Sequence, residues 1–343
     1  MISFTREKTQ ILKGIALLLM IVHHTSLPGH WASSGSTLQF YLEHQVASTK
    51  MCVYIFAFLV GYGFFCSKNK SIKYSLKRIQ LLIIPFWFML SVMFLPAAYF
   101  SGNLQQIMES KGWLDVFYNF FGISESLNWY SWFVCFYIIT ILLMPYLHRL
   151  FDRFPKSGWI CSILGFYLLE CAIHVIPRWQ ESSLFQNLFN LTLTIPIVIV
   201  GYMCAKWNSE GKIPTWFEGK KRIPFALAII LTVMLVNGIK IPTLGFSLQA
   251  FYTPFLIFAV VGIFNSIECK WLSIGLTKVG ELSMYMWFFH AIFFTETVNL
   301  YTKNLVFEPI HNYFYTLVMT FILTYAGSWV IKKLLNPVLN RVK

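Results

Sequence analysis

The chain has 343 residues, of which 57% are hydrophobic and only 12% charged. Soluble globular chains carry roughly twice that charge, so a soluble domain is excluded and the long apolar runs point to a polytopic membrane protein. A net charge of +13 would suggest nucleic acid in a soluble protein; here its distribution along the chain accounts for it.

The start, MISFTREKTQ, is polar and is followed by no small-residue cleavage site, so no cleavable signal peptide is expected. The first apolar segment, about 10–28, carries Lys13 near its beginning and the pair His23-His24 toward its end. The step from Lys13 to His24 is about 20° past three full helical turns and ~16 Å of rise, so both lie on one face, with Leu17, Met20 and Ile21 between or beside them. An ionisable pair in a membrane span costs several kcal/mol unless it faces a bundle interior or a water-filled cavity. The simpler alternative is that Lys13 snorkels to the interface and the histidines mark the far end.

Further apolar segments follow at about 48–66, 80–100, 128–148, 158–176, 188–205, 223–239, 247–267, 281–300 and 312–331. The expected class is therefore all-α, a membrane protein of about ten transmembrane helices. In the connection 101–127, Trp113-Leu-Asp-Val-Phe-Tyr-Asn-Phe-Phe121 reads as a short amphipathic helix at the outer interface. Pro85, Pro145, Pro196 and Pro254 lie in or at the ends of spans, where kinks explain them. The seven cysteines are scattered singly without metal-ligand spacing, so they read as small apolar packers and no metal is expected. No tandem repeat or long linker divides the chain. One membrane domain over 1–343 is expected, with no appended soluble domain.

Placing the N-terminus inside puts every one of the 27 Lys and Arg on the inner side except Lys50, Lys111, Arg178, Lys240 and Lys303. Such a bias sets orientation. Both termini are expected in the cytoplasm, in a multi-pass protein of the cell membrane, and the positive charge requires no nucleic acid.

In this orientation Lys13 lies near the cytoplasmic mouth and His24 toward the outer half. A neutral imidazole can take a proton from a hydroxyl. Lys13 and the run Lys73–Arg78, including Lys77 and Arg78, could bind phosphates of a nucleotide-like donor; the alternative is that the run is only the topology signal. The ninth segment, Gly280-Glu-Leu-Ser283-Met-Tyr285-Met-Trp-Phe-Phe-His290, also runs outward, so His290 and His24 could share one cavity, unless His290 is a satisfied interfacial histidine. Glu170 and His174 stand one turn apart and read as a structural pair.

Several motifs follow one another along the chain: Lys13-Gly…His24, then Phe56-Ala-Phe-Leu-Val60-Gly61-Tyr-Gly63-Phe-Phe, then Tyr74-Ser-Leu-Lys77-Arg78-Ile…Pro85-Phe-Trp87. Trp129-Tyr-Ser-Trp132-Phe before Pro145 and Ser283…Tyr285…His290 complete the series. In this order and spacing the chain resembles the acyltransferase-3 family of integral membrane acyltransferases, which modify cell-surface glycans and lipids. Lys13 stands where the family pattern has arginine, which keeps the charge without the bidentate fork. Val60 stands where a serine is usual, and the Trp-Phe segment lacks the glutamate of many relatives.

The resemblance implies transfer of an acyl group, acetyl first among them, from cytoplasmic acetyl-CoA to a sugar hydroxyl of a polysaccharide or lipid-linked glycan. It implies His24 as the catalytic base, with His290, Tyr285 and Ser283 nearby to orient or stabilise. Lys13, Lys77 and Arg78 would bind the donor's phosphates. Membrane lipids are expected partners, and self-association into a homo-oligomer is compatible with such a bundle. The competing reading is a transporter or flippase of lipid-linked sugars, against which stands the lack of matched broken helices in two halves.

Overall fold

The computed structural model describes residues 2–27, 36–238, 248–267, 269–294 and 312–342, the side chain of Trp129 apart; among them there are helices and connecting turns but no strand. In chain order the helices are α1 (Arg6–Thr25), α2 (Thr37–Thr49), α3 (Met51–Cys66), α4 (Ile72–Met89), α5 (Leu95–Phe100), α6 (Asn103–Lys111), α7 (Trp113–Asn119) and α8 (Trp132–Arg153). They continue as α9 (Gly158–His174), α10 (Ser183–Ser209), α11 (Ile223–Gly238), α12 (Gln249–Ser266), α13 (Lys270–Glu281), α14 (Ser283–His290) and α15 (Tyr313–Val342). The protein is all-α.

Local chemistry sets several of these boundaries. The Thr5 hydroxyl accepts from the Lys8 amide at the start of α1, Ser36 does the same for Gln39 in α2, and Ser71 for Tyr74 in α4. Each satisfies an amide that the first helical turn leaves without a partner. Gly102 and Gly112, at φ 77° and 81°, make the left-handed turns that separate α5, α6 and α7. A π-helical stretch, Leu90–Phe94, joins α4 to α5.

Six stretches are long and apolar enough to cross a membrane: Thr37–Cys66, Ile72–Phe100, Trp132–Arg153, Ser183–Ser209, Gln249–Ser266 and Tyr313–Val342. This is a multi-pass membrane protein. The other segments expected to span are also helical but fall short of that measure. In α1 the lysines and the histidine pair dilute the apolar run; α9 has 17 residues and α11 has 16. The ninth segment, expected at 281–300, starts as a helix at Lys270 and breaks at Leu282 before α14; its end, 295–300, lies outside the described residues. The third starts at Ile72 instead of 80, and the last runs on to Val342. Helix ends can run into polar sequence because their flanking turns complete the backbone hydrogen bonds. Pro85, Pro145, Pro196 and Pro254 all lie inside continuous helices.

The chain divides into two compact units, with α8 and α10 contributing to each. The first comprises Met1–Lys70, Met144–Pro177 and Leu191–Ser283. Its helices meet through glycines. A Cβ on Gly14 would run into the Leu276 carbonyl, and one on Gly280 into that of Gln10, which locks α1 to α13. Gly61 of α3 lies against the Val198 carbonyl and Gly201 of α10 against that of Phe58. Such contacts bring membrane helices to backbone distance, where dispersion is strongest. The N-terminus is stitched in as well: Asn208 exchanges bonds with the Ile2 backbone at 3.2 and 3.1 Å, and Phe4 stacks on Tyr62 at 4.1 Å.

The second unit comprises Ser71–Leu143, Arg178–Asn190 and Met284–Lys343. Ser75 Oγ donates to the Ile141 carbonyl at 2.6 Å, tying α4 to α8. In α15 the buried positions Thr316, Thr320, Thr324, Ser328, Ile331, Leu335 and Leu339 recur every three or four residues, so one face turns inward. The segment expected to be amphipathic is helix α7, which exposes Trp113, Leu114 and Phe117 and buries Val116 and Asn119.

Candidate active site

In the first unit the candidate residues lie on α1. Because the helix is unbroken from Arg6 to Thr25, Lys13 and His24 fall on one face, which also carries the fully buried Leu17 and Met20. Lys13 and His24 are half-buried. The histidine pair divides its duties. His23 Nδ1 lies 2.6 Å from the Val46 backbone carbonyl on α2, with the Thr49 hydroxyl at 3.4 Å. A carbonyl only accepts, so Nδ1 of His23 carries the hydrogen and that ring is committed to holding α1 against α2. The His24 ring sits edge-on to it, centroids 4.8 Å apart. Ser283, buried at the start of α14, closes this unit.

In the second unit His290 ends α14 with no exposed surface. Its Nδ1 donates to the Trp287 carbonyl, so in the neutral ring Nε2 holds the lone pair. Aromatic rings enclose it: Tyr130 at 5.2 Å, Phe294 at 6.1 Å and Trp287 at 6.4 Å between centroids. Phe133 packs on Trp287 at 4.6 Å, which fixes the far side of that wall. Tyr285 is also buried. Lys77 and Arg78 lie on the exposed side of α4, where the Arg78 guanidinium bonds the Tyr137 hydroxyl and lies close to Tyr74.

The pairing expected between Glu170 and His174 takes a backbone form, since His174 Nδ1 donates to the Glu170 carbonyl at 2.9 Å. Sequence reasoning missed two features. One is a chain in the first unit: Asp152 lies 3.4 Å from His148 Nε2, and His148 Nδ1 lies 2.6 Å from the Tyr202 hydroxyl. The i, i+4 spacing of His148 and Asp152 was a usable signal; Tyr202, on a distant helix, gave none. The other is Glu125, in the turn that leads into α8, to which no motif drew attention.

The protein is all-α and multi-pass, and its interior holds the buried His290 imidazole. Comparison with known families makes this specific: the acyltransferase-3 family model, described as Acyltransferase domain, matches residues 9–333. The chain belongs to this family and is a membrane acyltransferase, which sets aside the transporter reading. No curated protein and no solved structure matches.

Proposed function

We propose that the protein moves an acetyl group from cytoplasmic acetyl-CoA to a sugar hydroxyl of a cell-surface polysaccharide or lipid-linked glycan, in the cell membrane, with both termini in the cytoplasm. The observation that carries this reading is the face of α1 on which Lys13 and His24 share a stripe with buried Leu17 and Met20, in a chain of an acyltransferase family. His24 accepts the proton of the acceptor hydroxyl, and the oxygen attacks the thioester carbonyl carbon. The carbon–sulfur bond breaks as the tetrahedral intermediate collapses, and the proton passes to the departing thiolate, so the step balances without a further reactant. A buried donor such as Tyr285 or Ser283 stabilises the oxyanion. His290, with Nδ1 committed to Trp287 in the neutral ring, suits the acceptance of a hydroxyl hydrogen at Nε2.

Lys13, Lys77 and Arg78 serve the donor end as cations for the phosphates of CoA. The positive-inside distribution of Lys and Arg supports a cytoplasmic location for that end. Membranes from expressing cells, given acetyl-CoA labelled in the acetyl carbon, test the reading directly. Label is expected in extractable glycan with the wild-type protein and not with His24→Ala. Wild-type membranes that leave all label in CoA, acetate or lipid without sugar would refute the acceptor class.

A further inference from the structure

The turn between α7 and α8 is tightly built. Asn119 Nδ2 donates to the Asp115 carbonyl and to Ser126 Oγ, both at 2.8 Å, and its Oδ1 accepts from the Leu127 amide at 2.9 Å. Ser126 Oγ donates to the Asp115 carboxylate at 2.5 Å, Asn128 accepts from the Tyr130 amide, and Ser131 Oγ donates to the Ser124 carbonyl. Trp87 Nε1 and Asn187 Nδ2 pin the turn to α4 and α10 through the carbonyls of Phe120 and Ile123, at 2.7 and 2.8 Å. Gly122, at φ 67°, lies so close to the Ser131 carbonyl that no Cβ fits.

Within this frame the acidic side chains are treated differently. Asp115 is consumed by the network. Glu125 has no hydrogen bond or ion pair among the described residues, although it is half-buried and sits within electrostatic range of Cys135 on α8. Burial pushes its carboxyl up to about 7, with Lys111 of α6 pulling the other way. A desolvated carboxylate without a donor costs more than one at the surface. The same turn delivers Tyr130 to the His290 ring, so it borders a candidate catalytic residue.

We propose that Glu125 is an acceptor-binding residue, whose carboxylate takes hydrogen bonds from sugar hydroxyls of the glycan that receives the acyl group. The assignment rests on the glycan acyltransferase reading. Two oxygens offer about four lone-pair positions to a pair of neighbouring hydroxyls, and the preformed turn fixes the backbone that carries them, so binding orders only the Glu125 side chain. The residues that act on its charge are Lys111 of α6 and Cys135 of α8.

The test uses the detergent-purified protein, labelled acetyl-CoA, and envelope glycan extracted from the producing cells as the titrated acceptor. Glu125→Gln should raise the acceptor KM by tenfold or more while the KM for acetyl-CoA changes less than twofold, with Glu125→Asp between the two. The wild-type acceptor KM should fall as pH rises from 6 to 8, because the carboxylate is the better acceptor, and Glu125→Gln should lose that dependence. An unchanged acceptor KM in Glu125→Gln overturns the assignment alone. A parallel rise in both KM values with a lowered melting temperature also overturns it, in favour of a structural role. Absence of any transfer by the wild-type protein overturns both this assignment and the reading on which it rests.

Discussion

Two glycines in one motif should respond in opposite ways to the same added methyl group. Gly61 and Gly63 lie on α3, two residues apart, yet only Gly61 abuts another helix: a Cβ there would collide with the Val198 carbonyl, while nothing lies within 4 Å of one on Gly63. Backbone, unlike a side chain, cannot swing aside, so α3 and α10 must separate. The reciprocal contact of Gly201 with the Phe58 carbonyl is lost with it. Overpacking of this kind costs about 1–3 kcal/mol, partly offset by the ~0.5–1 kcal/mol that alanine gains over glycine in a helix. At Gly63 only the gain applies. The variants Gly61→Ala and Gly63→Ala should therefore differ by roughly 1–3 kcal/mol, or about 1–4 °C in apparent melting temperature for a chain of this size. Thermal unfolding in one detergent, followed by intrinsic fluorescence, makes the comparison. Equal melting temperatures, or a less stable Gly63→Ala, would refute the close-packing argument.

The histidine pair should separate chemistry from structure: His24→Ala should lose 10²-fold or more in turnover with a melting temperature near wild type, whereas His23→Ala, which removes a hydrogen bond to the Val46 carbonyl while the Lys50 amide and Thr49 hydroxyl remain on it, should cost about 0.5–1.5 kcal/mol of stability. Comparable loss of turnover in both at unchanged stability would contradict that division. Arg78→Met and Lys77→Met should weaken acetyl-CoA binding by about 10- to 150-fold each, less so at high salt, as read by calorimetry; unchanged affinity in both would leave the basic run as a topology signal. A membrane-impermeant thiol reagent applied to intact cells, in a background freed of native cysteines, should label Gln105→Cys and spare Lys68→Cys. External labelling of Lys68→Cys would reverse the assigned orientation and with it the cytoplasmic donor site.

What the sequence determined by itself was the class of molecule, the helical segments and the relation of Lys13 to His24. These are local properties: apolar runs report spans, and 3.6-residue periodicity orders side chains within one helix whatever surrounds it. Glu125 and the link from His148 to Tyr202 were invisible for the opposite reason, since no local spacing marks either and Tyr202 is far from His148 along the chain. Only the tertiary structure gave His23 its partner, a carbonyl on another helix. It likewise distinguished Gly61 from Gly63, which the motif presents as equivalents. The break at Leu282 and the extension of α15 to Val342 also escaped the hydropathy pattern, because helix ends follow capping and packing partners as well as apolarity. Contacts between distant segments fix which polar atoms are already satisfied, and only the remainder is available for chemistry.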